Sequence, residues 1–185
     1  MASTVVPLFS TNIWCCQSNI DNDFILKECY KFSKKTDGII MSNRGGYQGE
    51  GFNCDILNNF IKYNLPVSPV NSLDEFKLFS WVNINPKGSK NLRHNHFDVG
   101  GNVVFSGVYY VKVPKDSGCI RFFDPRGFMI HSCLDMKYFH GHSKPVFDVE
   151  PQAGDCVYFP SWLEHDVEDN KSNEDRVSIA FNVLR

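Results

Sequence analysis

The stretch Leu92–Asp98 reads LRHNHFD and places two of the chain's six histidines two residues apart. A carboxylate follows two residues later. Because alternate side chains leave the same face of a β-strand, His94, His96 and Asp98 point toward one spot if a strand extends that far. Imidazole and carboxylate groups are ligands of divalent transition metals. The stretch therefore predicts a metal site, with an ordinary polar loop as the alternative.

The composition is that of a soluble globular protein. The 185 residues are 42% hydrophobic and 22% charged, which is enough for one sizeable core. A net charge of -2 gives no electrostatic reason to expect nucleic acid or an anionic membrane as a partner. No run approaches the roughly 20 apolar residues of a membrane span. We expect a single domain over residues 1–185, and no feature indicates its oligomeric state.

The cellular compartment is inferred from the first residues and from the cysteines. The opening segment MASTVVPLFS lacks the basic start and the apolar run of a signal peptide. The seven cysteines show no spacing typical of a disulfide framework. We therefore expect reduced thiols and a cytoplasmic protein.

The first 75 residues are expected to form a helical N-terminal layer. Helices are predicted over Asp21–Lys35 and Asp55–Tyr63, where apolar residues recur at helical spacing. A short strand is expected within residues 1–15. The segment Ser42–Gly51 contains four glycines, so we predict a loop there.

The character of the chain changes after residue 75. Short runs rich in Val, Ile, Phe and Tyr are bounded by Gly, Pro, Asp and Asn, which is typical of an antiparallel sandwich or barrel. The predicted fold is therefore mainly β with N-terminal helices, with residues 76–185 as its core. The predicted strands are Phe76–Asn85, Val103–Val113, Cys119–Asp124, Val146–Val149, Cys156–Pro160 and Arg176–Leu184.

A third histidine and an alternating strand lie near the C-terminus. His165 follows an apolar strand and a proline turn, and eleven residues later Arg176–Asn182 reads RVSIAFN. Alternation places Arg176 and Ser178 on one face of this strand. If that face is interior, the arginine needs an anionic partner, and its fork of donors matches the carboxylate of a small ligand. If it is exterior, Arg176 forms a surface salt bridge with a neighbouring acidic residue.

The order His-x-His, distant His and Arg-x-Ser resembles the 2-oxoglutarate- and Fe(II)-dependent oxygenases. The similarity is greatest to their prolyl-hydroxylase-like group from microbes and phages, and it covers residues 76–185. The order and spacing of several short motifs carry it. These motifs are Trp81–Asn85, His94–His96, Ser106–Val111, Phe123–Arg126, Pro151–Asp155, Phe159–Val167 and Arg176–Asn182.

This resemblance implies a double-stranded β-helix, a jelly-roll barrel, that binds Fe(II) and 2-oxoglutarate. It implies a dioxygenase that hydroxylates a small-molecule or peptidyl substrate and releases succinate and CO2. The implied iron ligands are His94, His96 and His165, with Asp98 as a reserve ligand. The implied cosubstrate-binding residues are Arg176, Ser178, Tyr110 and Asn83.

One ligand departs from the usual pattern of the superfamily. His96 stands where a carboxylate is usual, and three neutral ligands leave the metal with its full charge. This departure keeps open a cupin-type three-histidine dioxygenase, for which Gly88 and the pair His94 and His96 match the opening motif. A non-catalytic jelly-roll binding protein is the third hypothesis.

Some further residues are candidates for contacts with the substrate. Trp162 stands close to His165 and is a candidate wall of the site or a core residue. Arg126 is expected either to hold a substrate anion or to brace the turn at Asp124. A long segment before Val146 is a candidate lid or, less favoured, a second ligand cluster, through His131, His140 and His142.

Overall fold

The computed structural model describes residues 9–67, 75–97, 102–126 and 145–185. Two antiparallel β-sheets pack face to face, and two helices cover the outer side of the larger sheet. No helix within those ranges is long and apolar enough to cross a membrane. In chain order the elements are β1 (Trp14–Gln17), α1 (Asn22–Ser33), β2 (Asn43–Arg44), β3 (Tyr47–Glu50), α2 (Asp55–Tyr63), β4 (Lys77–Asn85), β5 (Lys90–His94), β6 (Val103–Lys112), β7 (Ile120–Phe123), β8 (Val146–Val149), β9 (Asp155–Pro160), β10 (His165–Val167) and β11 (Arg176–Leu184).

The strands of the two sheets interleave along the chain. The larger sheet has the order β1-β9-β6-β11-β4-β3, and the smaller sheet has the order β2-β5-β10-β7-β8. The six strands predicted after residue 75 are confirmed as β4, β6, β7, β8, β9 and β11, within one residue at each end. A short strand is expected within residues 1–15, and β1 overlaps that range only at residues 14 and 15, since it covers Trp14–Gln17 and pairs there with β9. Residues 1–8 lie outside the described ranges.

Both predicted helices are confirmed. The carboxylate of Asp21 accepts hydrogen bonds from the backbone N–H groups of Asp23 and Phe24, at 2.9 and 3.3 Å, and so caps the start of α1. Ile25 of α1 and Ile61 of α2 are fully buried against the larger sheet. Removing apolar side chains of this size from water stabilises the fold by about 2 kcal/mol each.

The alternation of β11 separates two interiors. Val177, Ile179 and Phe181 are fully buried in the core that the larger sheet shares with the helices. Arg176 and Ser178 point the other way, into the space between the two sheets. The question that the sequence left open is thereby answered, since the arginine face of β11 is interior.

The prediction of a loop over Ser42–Gly51 is wrong. Two short strands lie there, and the chain crosses between the sheets from β2, which pairs with β5, to β3, which pairs with β4. The glycines serve the turn between these strands. Gly45 has a φ of +79°, and a Cβ on Gly46 would lie 2.6 Å from the carbonyl oxygen of Ile84.

The strand that carries His94 does not extend to His96, so strand alternation does not place these two side chains on one face. β5 ends at His94, so His96 lies beyond the strand. The backbone N–H of His96 instead donates to the carbonyl of Ser161, at 2.8 Å, in the turn that leads to β10. A contact between two distant segments, and not strand periodicity, therefore positions His96.

Candidate active site

Three histidine side chains converge where β5 and β10 meet. His94 and His165 stand directly opposite each other in the antiparallel pairing of these strands. His96 completes the group, and one ring nitrogen from each residue lies within 4.8 Å of the other two. Such a spacing allows all three nitrogens to bind a single metal ion.

Two of the three rings are oriented by their own strand segments. Nδ1 of His94 lies 2.7 Å from the carbonyl oxygen of Leu92, and Nδ1 of His165 lies 3.0 Å from that of Leu163. A carbonyl oxygen accepts only, so each Nδ1 carries the proton. Nε2 of each ring is therefore left as the lone-pair nitrogen that a metal requires.

The third ring is oriented by a distant side chain. Nδ1 of His96 lies 2.6 Å from Oδ1 of Asn182 on β11 and 2.9 Å from the hydroxyl of Ser106 on β6. The same Asn182 oxygen also accepts from the Ser106 hydroxyl, at 2.8 Å. Because that oxygen serves as the acceptor for both neighbours, His96 also carries its proton on Nδ1 and presents Nε2.

Burial keeps this group of rings uncharged. Desolvation lowers the pKa of His96 to about 4 and the pKa of His165 well below its ordinary value, and it lowers the pKa of His94 as well. Neutral imidazole is the form that binds a metal. At neutral pH the three rings therefore form a donor set that is ready for a divalent ion.

A narrow cavity between the sheets connects the histidines with Arg176. Arg176 is only 3% exposed, and its Nη1 donates to the carbonyl of Ser117 at 2.8 Å. Within the described part of the chain no carboxylate neutralises this guanidinium, and burial lowers its pKa. A buried cation in this state favours an anionic ligand. The cavity is lined by the three histidines and by Asn83, Tyr110, Arg176 and Ser178, among others.

The surface salt bridge considered for Arg176 is not formed. Asp175 accepts a hydrogen bond from the hydroxyl of Tyr30 at 2.8 Å, and Glu174 pairs with Lys112 at 2.9 Å. Both neighbouring acids thus point away from the interior. Neither of these two acids therefore neutralises the guanidinium of Arg176, which lines the cavity.

Several polar atoms around Arg176 lack partners among the described residues. They are the hydroxyls of Tyr110 and Ser117 and the side-chain oxygen of Asn83. Burial, the largest cause, raises the pKa of Tyr110, so its hydroxyl stays protonated and can donate. Buried polar groups without partners are rare in proteins, and here they surround a cation. The hydroxyls of Tyr110 and Ser117, together with Arg176 and Ser178, can donate hydrogen bonds to a carboxylate.

The cavity is small in this arrangement of side chains. Its free volume is about 30 Å³. This is about the space that one water molecule occupies. A five-carbon dicarboxylate therefore enters only if lining side chains move.

The remaining predicted residues lie apart from this cavity or outside the described ranges. Trp162 is 42% exposed and lines neither the cavity nor the neighbouring cleft. Arg126 binds Asp124 through Nε and Nη2, at 3.1 and 2.9 Å, which braces that turn. Four of the candidate residues lie outside the described ranges, namely Asp98, His131, His140 and His142.

A second, open cleft of about 450 Å³ is also lined by His94 and His96. Sequence reasoning missed its polar residues, since Gln48 and Glu50 fall in the segment predicted as a loop. It also missed the role of Asn182, although alternation along Arg176–Asn182 places that residue on the same face as Arg176 and Ser178. The cleft is lined by Met41, Ser42, Gln48, Glu50, Phe79, Trp81, Leu92, Arg93, His94, Asn95, His96 and Asn182.

One family model matches more than half of the chain. Residues 79–182 match the family described as "Putative 2OG-Fe(II) oxygenase". This range contains all three histidines, Arg176 and Asn182. No curated protein sequence matches the chain.

Solved structures of such oxygenases share the fold at low sequence identity. A prolyl-4-hydroxylase from Pseudomonas putida is 18% identical over 95% of this chain and 94% of its own, with a TM-score of 0.63. The epimerase SnoN from nogalamycin biosynthesis, in complex with Fe3+, alpha ketoglutarate and nogalamycin RO, is 13% identical over 94% of this chain and 79% of its own, with a TM-score of 0.64. A prolyl hydroxylase from Trichoplax adhaerens, in complex with a hypoxia inducible factor peptide fragment, is 12% identical over 95% of this chain and 84% of its own, with a TM-score of 0.60. These likenesses confirm the predicted double-stranded β-helix.

Proposed function

This chain belongs to the 2OG-Fe(II) oxygenase family, and from that premise we propose that it hydroxylates a small-molecule or peptidyl substrate and releases succinate and CO2. As a member of that family it is a 2-oxoglutarate-dependent oxygenase, an oxidoreductase with Fe(II) as its metal and 2-oxoglutarate as its cosubstrate. The observation that carries the hydroxylase proposal is the shared cavity. Three neutral imidazoles line this cavity together with a buried arginine, which lacks a carboxylate partner among the described residues.

In this proposal Nε2 of His94, His96 and His165 bind the iron. Three protein ligands leave positions open for a bidentate cosubstrate and for oxygen. The proposal is supported by the Nδ1 contacts, which leave Nε2 of every ring available. Since no ligand of this set is charged, the metal keeps its 2+ charge and favours a dianionic cosubstrate.

Arg176 binds the distal carboxylate of 2-oxoglutarate in this assignment. Its planar fork donates two parallel hydrogen bonds, and the hydroxyls of Ser178 and Tyr110 add one donor each. The Asn83 amide, turned so that its nitrogen faces the ligand, supplies another donor. The proposal is supported by the Tyr110 hydroxyl, a donor that has no partner among the described residues.

When bound, iron and 2-oxoglutarate supply the oxidation, in which one oxygen atom of O2 enters succinate as CO2 leaves and the other enters a C–H bond of the substrate. The residues of the chain orient and shield these groups. His94 and His96 line both the narrow cavity and the open cleft. In this proposal the narrow cavity, which contains Arg176, would take the cosubstrate, and the open cleft would take the substrate.

Anaerobic titration of the purified protein with Fe(II) and 2-oxoglutarate tests this assignment. We expect a weak metal-to-ligand charge-transfer band in the visible spectrum, which appears only when both are present. A folded, iron-loaded protein that shows no band at saturating 2-oxoglutarate contradicts the proposal.

Arg176→Ala tests the cosubstrate site. We expect iron affinity to be retained and 2-oxoglutarate affinity to fall by about 100-fold, since a buried bidentate charge pair is lost. Arg176→Lys keeps the positive charge but loses the planar fork of donors. Its affinity for 2-oxoglutarate should lie between those of the wild type and Arg176→Ala. Arg185→Ala is the control, because that arginine is exposed and its ion-pair partner among the described residues is Glu75, at 3.7 Å. Equal 2-oxoglutarate affinity in the wild type and Arg176→Ala would show that the assignment is wrong.

The two other hypotheses from the sequence are weaker. A cupin-type three-histidine dioxygenase and a non-catalytic jelly roll both leave the buried charge of Arg176 without a ligand. We also propose that residues 1–185 fold as one domain with residues 76–185 as the catalytic core, and that the protein works in the cytoplasm without nucleic acid. The small net charge of -2 supports this last point.

A further inference from the structure

The open cleft beside His94 and His96 has a chemical character that indicates its substrate. We propose that it selects an aliphatic substrate group that ends in a protonated nitrogen, such as an alkylammonium. This inference deepens the proposed function and rests on it.

The walls of the cleft suit the methylene groups of such a substrate. Trp81 and Phe79 of β4 lie with ring centroids 6.1 Å apart, and the side chains of Met41 and Leu92 complete an apolar lining. Burial of each methylene in such a lining contributes about 0.8 kcal/mol. The faces of the aromatic rings also attract a cation, through their quadrupoles.

Two acceptor side chains extend from β3 into this apolar lining. Gln48 and Glu50 are two residues apart on one strand and both line the cleft, so they share a face. Gln48 is only 4% exposed, and its side-chain oxygen has no hydrogen-bond partner among the described residues. A buried acceptor in this state requires a donor. An amide oxygen next to a carboxylate matches a ligand that carries several N–H donors.

The charge balance of the cleft favours a cation. Of its lining residues, Glu50 and Arg93 are charged. Arg93 is neutralised, since it forms a salt bridge with Glu164 and lies over the ring of Phe123, 3.9 Å from the centroid. Glu50 forms no ion pair within the described part of the chain. The uncompensated charge of the lining is therefore negative.

The other cations near the cleft do not line it. Arg44 directs its guanidinium at the carbonyls of Met41 and Asn43, at 2.7 and 2.8 Å. Lys77 stands at the exposed start of β4, beyond Phe79. Both side chains are exposed, as Glu50 is, so solvent screens their repulsion of a bound cation as well as the attraction by Glu50. The oxygen of Gln48 is the buried acceptor of the pair.

Glu50, His94 and His96 all line this cleft. In this proposal the nitrogen is bound at Glu50, and the aliphatic chain that carries it lies in the same cleft as the histidines.

A matched ligand series tests the inference. The anaerobic protein, loaded with Fe(II) and 2-oxoglutarate, is titrated by calorimetry with pentylammonium, pentan-1-ol and pentanoate, which share one alkyl chain. We expect pentylammonium to bind about tenfold more tightly than the alcohol, as a charged hydrogen bond predicts, and pentanoate to bind most weakly. Equal or tighter binding of pentan-1-ol or pentanoate overturns the inference.

Variants assign the preference to β3. Glu50→Gln should remove most of the advantage of pentylammonium over pentan-1-ol and leave the affinities for iron and 2-oxoglutarate unchanged. Glu150→Gln, at an exposed carboxylate after β8, is the matched control and should keep the preference. A preference that survives Glu50→Gln overturns the assignment to this cleft.

The source of the nitrogen is resolved by a second pair of probes. Free L-lysine represents a metabolite, and N-acetyl-lysine N-methylamide represents a side chain within a peptide. If either probe binds more tightly than the corresponding norleucine compound, and Glu50→Gln weakens that binding, the inference is supported and the probe identifies the source of the nitrogen. If neither binds more tightly than the corresponding norleucine compound, the inference is overturned.

Failure of this inference is distinguishable from failure of the proposed function. A charge-transfer band without any preference for amines leaves the oxygenase assignment standing and overturns the substrate class. If no band forms, the oxygenase assignment is wrong. The same alkyl series, titrated into the metal-free protein, then still decides the charge preference of the cleft.

Discussion

The amide oxygen of Asn182 and the ring of His96 are joined by a 2.6 Å hydrogen bond across 86 residues of sequence. The two other histidines of the cluster use backbone carbonyls two residues before them, so only His96 depends on a mutable side chain. In the proposed metal centre His96 also stands where the family usually has a carboxylate. Its orientation is thus the most sensitive point of the proposed metal centre.

We expect Asn182→Ala to weaken binding of Fe(II) by about tenfold or more, because His96 loses the acceptor that keeps its proton on Nδ1. Metal affinity is measured anaerobically by competition with a chelator. Asn22→Ala is the control, since Asn22 accepts a comparable 2.6 Å hydrogen bond from Tyr109 far from the site. Unchanged iron affinity in a folded Asn182→Ala protein would show that Asn182 does not position the ligand.

The identity of the second ligand is tested by a pair of variants. His96→Ala should lower the affinity for Fe(II) or Co(II) by more than about 100-fold, since one of three ligands is removed. Asp98→Ala should leave this affinity within about twofold of the wild type. The reverse ranking of the two variants would make Asp98 the ligand.

Tyr110→Phe should have opposite effects on stability and on cosubstrate binding. The buried hydroxyl of Tyr110 lacks a partner among the described residues, so its removal should raise the free energy of unfolding of the ligand-free protein by about 1 kcal/mol. The same change should weaken 2-oxoglutarate binding by about fivefold. Urea denaturation and a 2-oxoglutarate titration measure the two effects. If Tyr110→Phe instead lowers the free energy of unfolding of the ligand-free protein, the hydroxyl has a structural role.

Gly107→Ala should destabilise the fold by about 3 kcal/mol or prevent folding. A Cβ at this position of β6 would lie 2.3 Å from Cζ of Phe181 and 2.7 Å from the carbonyl oxygen of Val157. Gly88→Ala is the comparison, because it meets no atom within 4 Å and is opposed only by its φ of +84°. That variant should cost about 1 kcal/mol. Equal melting temperatures of the two variants would contradict this account.

Much of the β core was predictable because its strands are runs rich in Val, Ile, Phe and Tyr that are bounded by turn residues. The strands Val146–Val149 and Arg176–Leu184 were predicted to the residue. The short strands β2 and β3 were not, since their glycines and polar residues carry no period-two pattern. Pairing with β5 and β4 makes these segments strands, and such pairing is a long-range effect.

The sequence by itself determined the fold class, the family and the residue types of the site. Order and spacing along the chain carried that information, through His94, His165 and the strand that begins at Arg176. Only the tertiary structure decided which face of β11 is interior, that Asn182 orients His96, and that Gln48 and Glu50 stand beside the histidines. The reason is physical, since each of these relationships joins segments that are distant in sequence and depends on how the two sheets pack.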